Sequence, residues 1–259
     1  MNKVVIQAVV FDLGGTLEDV FYDDQLRLSA ARGLLDLMKS KGLDPGLSPL
    51  ELRDTIVAGI KRLYKIREKE NREIPPEQIW TDFIFPDGPL PQARLKAVSE
   101  ELTVAYENTF YSRALRPEAP AMLADLARRG FRLAVISNVL SRGQVPLNLA
   151  KYGIGHYFDP VVASSVFGWR KPDPRIFLEA ARLMNLAPEA CAYVGDTISR
   201  DVIGARRAGY GLAIQIKSFL TTQADRETET ELPDQVIPDF SQVVPLILQR
   251  NQEEFHVSH

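Results

Sequence analysis

The second half of the chain alternates short apolar runs with helical patterns, and this alternation limits the folds available to it. The runs are "FRLAVIS", "FDPVVAS", "CAYVGD" and "GLAIQI", and stretches with helical spacing of apolar residues separate them. Short buried strands joined by helices form a mostly parallel sheet with right-handed crossovers. The sequence therefore predicts an α/β fold with a Rossmann-like parallel-sheet core.

A further apolar run near the N-terminus predicts one more strand of the same sheet. It spans residues 4–11 and ends at Asp12, which two glycines follow after one leucine. From about residue 18 to residue 112 we expect helices and no convincing strand. We therefore predict two domains, an α/β catalytic core of residues 1–17 and 113–259 and an inserted α-helical cap domain of residues 18–112.

The helical patterns carry recognisable start signals. In "SPLELRDTIVAGIKRLYKIREKE", Ser48 and Glu51 have the spacing of a capping box and Pro49 occupies the first helical position. Near the C-terminus, the polar stretch 221–234 predicts a surface loop, and residues 239–249 predict a final helix. Counting the helical patterns between residues 18 and 112, we expect the insertion to contain roughly four helices.

Composition argues against several classes of partner. The formal net charge is −3, which provides no global basic field for nucleic acid or a membrane surface. The single cysteine, Cys191, cannot form an internal disulfide, which fits a reducing compartment. The N-terminus lacks the pattern of a signal peptide, and no run of 18 apolar residues is present. We therefore expect a cytoplasmic protein without nucleic-acid or membrane partners; the oligomeric state is not predicted.

Polar residues follow the predicted strands at four points. They are Asp12, the pair Ser137 and Asn138, Lys171, and Asp196. Because the carboxyl ends of parallel strands lie at one edge of a sheet, these side chains should converge. Paired carboxylates suit a hard divalent cation such as Mg²⁺, and hydroxyl, N–H and ammonium groups suit a phosphoryl group. A carboxylate in such a site can attack phosphorus.

The segments "DLGGTL", "SN", "KPDP" and "GDTISRD" resemble, in this order, the four motifs of the haloacid dehalogenase-like (HAD) hydrolase superfamily. Their spacing resembles the subgroup with a helical cap inserted after the first strand, and the resemblance covers nearly the whole chain. It implies a Mg²⁺-dependent hydrolase, with a phosphatase of small phosphorylated metabolites as the first expectation. The reaction would pass through an aspartyl-phosphate intermediate.

The resemblance also implies a role for each matching residue around the metal. Asp12 would be both the nucleophile and a metal ligand. The backbone carbonyl of Gly14 and the carboxylate of Asp196 would be further ligands. Asp201 would support the metal indirectly or through a water.

Three other matching residues would bind the phosphoryl group. By resemblance, Ser137 would use its hydroxyl, Asn138 mainly its backbone N–H, and Lys171 its positive charge. Lys171 would thereby act with Asp12 in catalysis.

One position departs from the pattern of most phosphatases in the superfamily. They carry an aspartate two residues after the nucleophile, which protonates the leaving oxygen, and this chain has Gly14 there. Haloacid dehalogenases carry a bulky residue and lack the metal-binding fourth motif, so the intact "GDTISRD" argues against that reaction.

Two alternatives therefore remain open. One is a phosphonatase-like hydrolase of carbon–phosphorus bonds, a branch that carries a small residue at this position and uses a cap lysine as a Schiff base. The lysines at 39, 41, 61 and 65 are candidates for that lysine. The other is a degenerate member that binds a phosphorylated ligand or a protein partner without turnover.

Overall fold

A computed structural model of the protein describes residues 4–86, 88, 90–218 and 232–256. Its centre is a six-stranded parallel sheet made of β1 (Ala8–Phe11), β4 (Arg132–Ser137), β5 (Val161–Ala163), β6 (Cys191–Gly195), β7 (Leu212–Ile216) and β8 (Gln235–Ile237). The strands lie in the order β5-β4-β1-β6-β7-β8. The α/β fold expected from the sequence is confirmed.

Strand β1 lies in the middle of this sheet, and its register aligns the ends of its neighbours. Phe11 is paired with Val135 on β4 and with Val194 on β6. Residues that follow these three strands therefore emerge at the same edge. The whole of β1 is buried, as its uninterrupted apolar sequence requires of a strand covered on both faces.

Helices cover both faces of the sheet, and β1 contributes alternate residues to each side. Val9 and Phe11 pack with residues of α5 (Ala119–Arg128) and of the last helix, α10 (Val243–His256). Ala8 and Val10 pack with residues of α8 (Pro174–Leu183) and α9 (Ile203–Arg207). Of two short helices, α6 (Gln144–Lys151) adds residues to the first of these clusters, and Phe167 of α7 (Ser164–Phe167) packs against the second. The period-two alternation thus fixes two hydrophobic cores around one sheet.

The helices between residues 24 and 109 form a separate bundle, here called the helical segment. They are α1 (Asp24–Ser40), α2 (Pro49–Glu70), the short α3 (Pro76–Gln78) with a π-helical continuation (Ile79–Ile84), and α4 (Gln92–Thr109). Apart from Leu140, the buried members of the cluster that holds them together come from this segment. The predicted capping box is present, because the side chains of Ser48 and Glu51 each bond the other's backbone N–H.

A pair of short strands joins the helical segment to the sheet. Strand β2 (Glu18–Phe21) pairs antiparallel with β3 (Ser112–Leu115). The expectation of no strand from residue 18 was therefore wrong at β2. Its four residues, two of them acidic, form too short an alternation to stand out in the sequence, and only pairing with a strand some ninety residues later stabilises them.

The C-terminal region also differs in part from expectation. The expected final helix is present as α10, and it begins at Val243 and continues to His256. Strand β8, at the edge of the sheet, was not expected. Most of the predicted loop 221–234 lies outside the described residues. Among the described residues, no helix is both long and apolar enough to cross a bilayer.

Candidate active site

The strand ends bring the expected residues together at one edge of the sheet. Asp12, Ser137, Asn138 and Lys171 line the same cavity, whose volume is about 530 Å³. Gly14 lies on its wall as well. The sequence-based expectation that these distant residues converge is therefore met in the structure.

Lys171 stands between two carboxylates. Its Nζ lies 2.8 Å from Asp12 Oδ1 and 2.6 Å from Asp201 Oδ1. Only 2% of its side chain is exposed. Burial by itself lowers the pKa of this ammonium, but the two carboxylates outweigh burial and raise it. Lys171 is thus a fixed positive charge beside the Asp12 carboxylate.

Asp201 is held by hydrogen bonds on both of its oxygens. Oδ1 accepts from Lys171 Nζ and from Tyr193 Oη at 3.0 Å. Oδ2 accepts from the backbone N–H of Thr197 at 3.0 Å and from its hydroxyl at 2.7 Å. The two oxygens of Asp201 thus accept hydrogen bonds from four donors, which orient Lys171 and the loop after β6. This arrangement fits the expectation that Asp201 supports a metal ion without binding it directly.

Three carboxylates could hold a metal ion here. One oxygen each from Asp12, Asp196 and Asp201 lies within 4.8 Å of the others, and all three residues are buried. Carboxylate and carbonyl oxygens are the ligands that Mg²⁺ prefers. The donor set therefore fits this ion, with Asp12 and Asp196 better placed for direct ligation because the hydrogen bonds of Asp201 occupy both of its oxygens.

Burial and mutual repulsion distribute protons unevenly among the three carboxyls. Burial, only partly offset by Lys171, raises the pKa of Asp12 to about 6. Burial, together with the charges of Asp201 and Asp12, raises the pKa of Asp196 to about 7. Burial would also raise the pKa of Asp201, but Lys171 and Arg200 lower it to about 2. A divalent cation would stabilise the ionised forms of the first two.

Two glycines, Gly15 and Gly195, leave room for the carboxylates of Asp196 and Asp201 to lie close to the backbone. Gly15 has a positive φ of 89°, and a β-carbon there would lie 2.3 Å from Asp196 Oδ2. A β-carbon on Gly195 would lie 2.4 Å from the β-carbon of Asp201. Any side chain at either position would displace a carboxylate of the site.

Asn138 connects two of the motif loops. Its amide group donates to the carbonyl of Lys171 at 3.0 Å and accepts from the backbone N–H of Lys171 at 2.9 Å. The side chain of Asn138 thus positions the loop that carries Lys171, which leaves its backbone N–H as the group expected to bind phosphate. Ser137 is 3% exposed and lies on the cavity wall.

The chain is similar to known proteins, as expected from the motifs. Residues 6–209 match the family described as haloacid dehalogenase-like hydrolase. The chain belongs to this family. It is 30% identical over 231 residues to a glyceraldehyde 3-phosphate phosphatase of Methanopyrus kandleri, a match that covers 89% of this chain and 92% of the relative.

Two further similarities agree with this family. A phosphoglycolate phosphatase of Aquifex aeolicus is 26% identical over 208 residues, which are 76% of this chain and 94% of that protein. The crystal structure of a 2-haloacid dehalogenase from Pseudomonas syringae superposes with a TM-score of 0.66 at 26% identity, covering 95% of this chain and 99% of the other. The predicted superfamily, hydrolase class and fold are therefore confirmed.

The helical segment, together with the residues that join it to the sheet, supplies the part of the hydrolase cavity wall that the motif loops do not form. This wall is rich in tyrosine and positive charge, with contributions from Tyr22, Arg27, Lys61, Tyr64, Tyr106, Tyr111 and Arg113. Arg27 lies 3.9 Å from the ring centre of Tyr22, which itself packs edge-on against Tyr111 at 5.5 Å. Their positions could not be predicted from the sequence, because helical spacing does not show which side of a helix faces the site and the joining residues carry no periodic pattern.

Glu107, on α4, binds the loop that follows β4 of the hydrolase. Its carboxylate accepts the backbone N–H of Leu140 at 2.7 Å and that of Ser141 at 2.9 Å. Burial raises the pKa of Glu107, although these hydrogen bonds oppose the rise. Through this contact, the helical segment holds the loop that immediately follows Ser137 and Asn138 in place.

Arg200 is a further cation beside the three carboxylates, and the motif pattern predicts no role for it. It lies within "GDTISRD", lines the cavity, and donates from Nε to Thr197 Oγ1 at 3.2 Å. Burial would lower its pKa, but Asp196, Asp201 and Asp12 raise it. Its place inside a recognised motif was a signal that could have been used.

Of the four lysines that were candidates for a Schiff base, one lines the cavity and three do not. Lys61 lines the hydrolase cavity. Lys39 and Lys41 are paired with Asp44 at 3.9 Å and Glu101 at 2.7 Å, away from the cavity wall. Lys65 is exposed and is absent from the residues that line the cavity.

Proposed function

We propose that this hydrolase is a Mg²⁺-dependent phosphatase of small phosphorylated metabolites. The observation that carries the proposal is the Asp12 carboxylate, held 2.8 Å from the Lys171 ammonium on the wall of a cavity and grouped with the buried Asp196. Two relatives bear the names of phosphatases acting on small phosphorylated compounds. Their names agree with the phosphatase predicted from the motifs.

In the proposed reaction, an oxygen of Asp12 attacks phosphorus and forms an aspartyl phosphate while the leaving oxygen departs. Lys171 neutralises charge on the phosphoryl oxygens, which the hydroxyl of Ser137 and the backbone N–H of Asn138 also bind. Asp201 keeps Lys171 in position through its 2.6 Å contact. Water then cleaves the acyl phosphate and regenerates the carboxylate of Asp12.

Mg²⁺ would be held by Asp12, Asp196 and the carbonyl of Gly14, with Asp201 acting indirectly. When bound, the ion would neutralise phosphoryl charge and offset the repulsion between the carboxylates. The raised pKa values of Asp12 and Asp196 support this assignment, because they mark two buried carboxyls that lack sufficient positive charge around them.

The charges on the cavity wall favour a small anionic substrate. Arg27, Lys61, Arg113 and Arg200 line it together with Lys171, whereas the acidic residues there are Asp12 and Glu107. We further propose that residues 18–112 act as the cap, which contributes most of this wall, and that the enzyme works in the cytoplasm on free metabolites. The single cysteine agrees with a reducing compartment.

Phosphate release from a panel of phosphate monoesters, with Mg²⁺ or with excess chelator, tests the proposal. We expect turnover that requires Mg²⁺ and disappears in Asp12→Asn. Asp36→Asn, an exposed aspartate on α1, is the matched control and should keep full activity. Turnover that persists in chelator, or a 2-chloro acid as the better substrate, would contradict the phosphatase. Ligand binding without turnover would indicate the degenerate alternative.

A phosphonatase is the second candidate, and the position of Lys61 on the cavity wall favours it together with the small residue Gly14. The lysine amine would condense with a substrate aldehyde to an imine and release water. Borohydride added with a phosphonoaldehyde should then inactivate the enzyme. The inactivation should be lost in Lys61→Arg and kept in Lys65→Arg. Equal inactivation of both variants would exclude Lys61 as the amine, and a wild type that borohydride does not inactivate would remove this candidate.

A further inference from the structure

The space beside Gly14 is filled by an arginine. A β-carbon built on Gly14 would lie 3.4 Å from Arg113 Nη1 and 3.7 Å from Glu18 Oε1. Gly14, Arg113 and Asp12 all line the same cavity. The guanidinium of Arg113 thus stands at the side of position 14 where a carboxyl side chain would begin.

Arg113 is held firmly in this position. Its Nη1 forms an ion pair with Glu18, and its Nε donates to the carbonyl of Glu107 at 3.0 Å. The guanidinium also lies 5.5 Å from the ring centre of Tyr111, and 14% of the side chain is exposed. Nη2 makes no hydrogen bond to any residue that the structure describes, so a donor remains on a side chain that lines the cavity.

Glu18 sets the orientation of the arginine from the other side. It is fully buried, and its second oxygen accepts from Tyr152 Oη at 2.7 Å and from Asn148 Nδ2 at 3.2 Å. Both partners lie on or directly after α6, in the part of the chain that packs on the sheet. The ion pair is therefore anchored on the sheet side, although Arg113 itself lies on β3.

We propose that Arg113 replaces part of the missing acid by donating a hydrogen bond to the oxygen that leaves phosphorus. The inference rests on the proposed phosphatase function. Charge develops on that oxygen as its bond to phosphorus breaks, and a preorganised donor aimed at such charge accelerates the step. Because a guanidinium keeps its proton in proteins, Arg113 stabilises the charge without transferring a proton.

The step balances with water as the only further reactant. An Asp12 oxygen bonds to phosphorus, and the electron pair of the broken bond stays on the leaving oxygen beside Arg113. A water molecule protonates the released alkoxide and becomes hydroxide. That hydroxide attacks the aspartyl phosphate, which yields inorganic phosphate and free Asp12. The sum is hydrolysis of one phosphate monoester by one water.

The test compares two leaving groups in Arg113→Met. The wild type and the variant are assayed on 4-nitrophenyl phosphate, whose phenolate is a weak base, and on phenethyl phosphate, whose alkoxide is a strong base. We expect kcat/KM to fall ~10²–10³-fold for the alkyl ester, as for the loss of one oxyanion donor. The aryl ester should change by less than about tenfold, since its leaving group needs less stabilisation.

Further variants separate this role from a structural one. Arg128→Met removes an exposed arginine paired with Asp125 and should leave the alkyl-to-aryl ratio unchanged. Arg113→Lys should restore the ratio partly, because an ammonium keeps the charge but not the planar fork. Arg113→Met leaves Glu18 buried without its ion-pair partner, which can prevent folding. In that case the double variant Glu18→Gln/Arg113→Met, which removes both charges, is assayed instead.

The outcomes are distinct for the two hypotheses. An equal fall for both esters, or no fall, overturns the role of Arg113 while Asp12-dependent aryl hydrolysis preserves the phosphatase. If the wild type hydrolyses neither ester nor any other phosphate monoester, the phosphatase itself fails, and the role of Arg113 is overturned with it. A selective loss on the alkyl ester supports both.

Discussion

Replacing Asp196 with asparagine is expected to stabilise the metal-free protein at alkaline pH. Asp196 is fully buried, and one of its carboxylate oxygens lies within 4.8 Å of those of Asp12 and Asp201. Burial and these two charges raise its pKa from 3.8 to about 7. The ionised form is therefore a cost to the folded state, which asparagine of nearly the same shape removes.

Proton linkage gives the direction in which the stability of the folded state changes with pH. A carboxyl whose pKa is higher in the folded state retains a proton that the unfolded chain has released. Its contribution to stability is complete below pH 3.8 and is lost as the pH rises to about 7. A rise of about three units corresponds to about 4 kcal/mol. Because Asp12 shares this repulsion, we expect Asp196→Asn to gain about 2–4 kcal/mol at pH 8.

Urea unfolding at pH 5 and pH 8, in the presence of EDTA, measures this gain. The wild type should lose stability relative to Asp196→Asn between the two pH values. Mg²⁺ at about 100 times its Kd should add about 2.7 kcal/mol to the wild type, and much less to the variant. Asp36→Asn, on the exposed side of α1, controls for the loss of one negative charge.

Two results would refute this reasoning. One is a variant less stable than the wild type at pH 8 in EDTA, which would mean that the Asp196 carboxylate is stabilised by its surroundings. The other is a stability difference that stays constant from pH 5 to pH 8, which would mean that the carboxyl does not titrate in this interval.

Three further substitutions probe the site. Asp12→Asn should abolish phosphate release while circular dichroism and Tm show an intact fold, because the nucleophilic charge is lost and the shape is kept. Gly15→Ala should lower Tm and weaken Mg²⁺ binding measured by calorimetry, since the new methyl group would lie 2.3 Å from Asp196 Oδ2 at a φ of 89°. Gly14→Asp should not raise the alkyl-to-aryl ratio of kcat/KM, because the new carboxyl would form an ion pair with Arg113, 3.4 Å from the new β-carbon, and remain ionised.

Each of these has a clear opposite result. Retained turnover in Asp12→Asn would exclude the covalent route. Unchanged Mg²⁺ affinity in Gly15→Ala would show that the loop can yield without moving Asp196. A gain of ~10²-fold or more on alkyl esters in Gly14→Asp would show that the new carboxyl acts as a general acid despite Arg113.

The convergence of Asp12, Ser137, Lys171 and Asp196 could be predicted because it depends on one property of parallel sheets. Residues that follow the strands emerge at one edge, whatever the details of packing. Strand and helix types were predictable wherever an apolar run or a helical period was long. The short strand β2 was not, because four residues carry little periodic signal and are stabilised by a partner far along the chain.

The chemistry at position 14 illustrates the division between sequence and tertiary structure. The fold class, the family motifs and the absence of the usual acid at Gly14 were all predictable, since they are local patterns of residue type. The position of Arg113 in the adjacent space, and its ion pair with Glu18, follow from how the chain packs in three dimensions. Residues 14 and 113 are separated by the whole helical segment, and their contact depends on the pairing of β2 with β3, which no spacing in the sequence specifies.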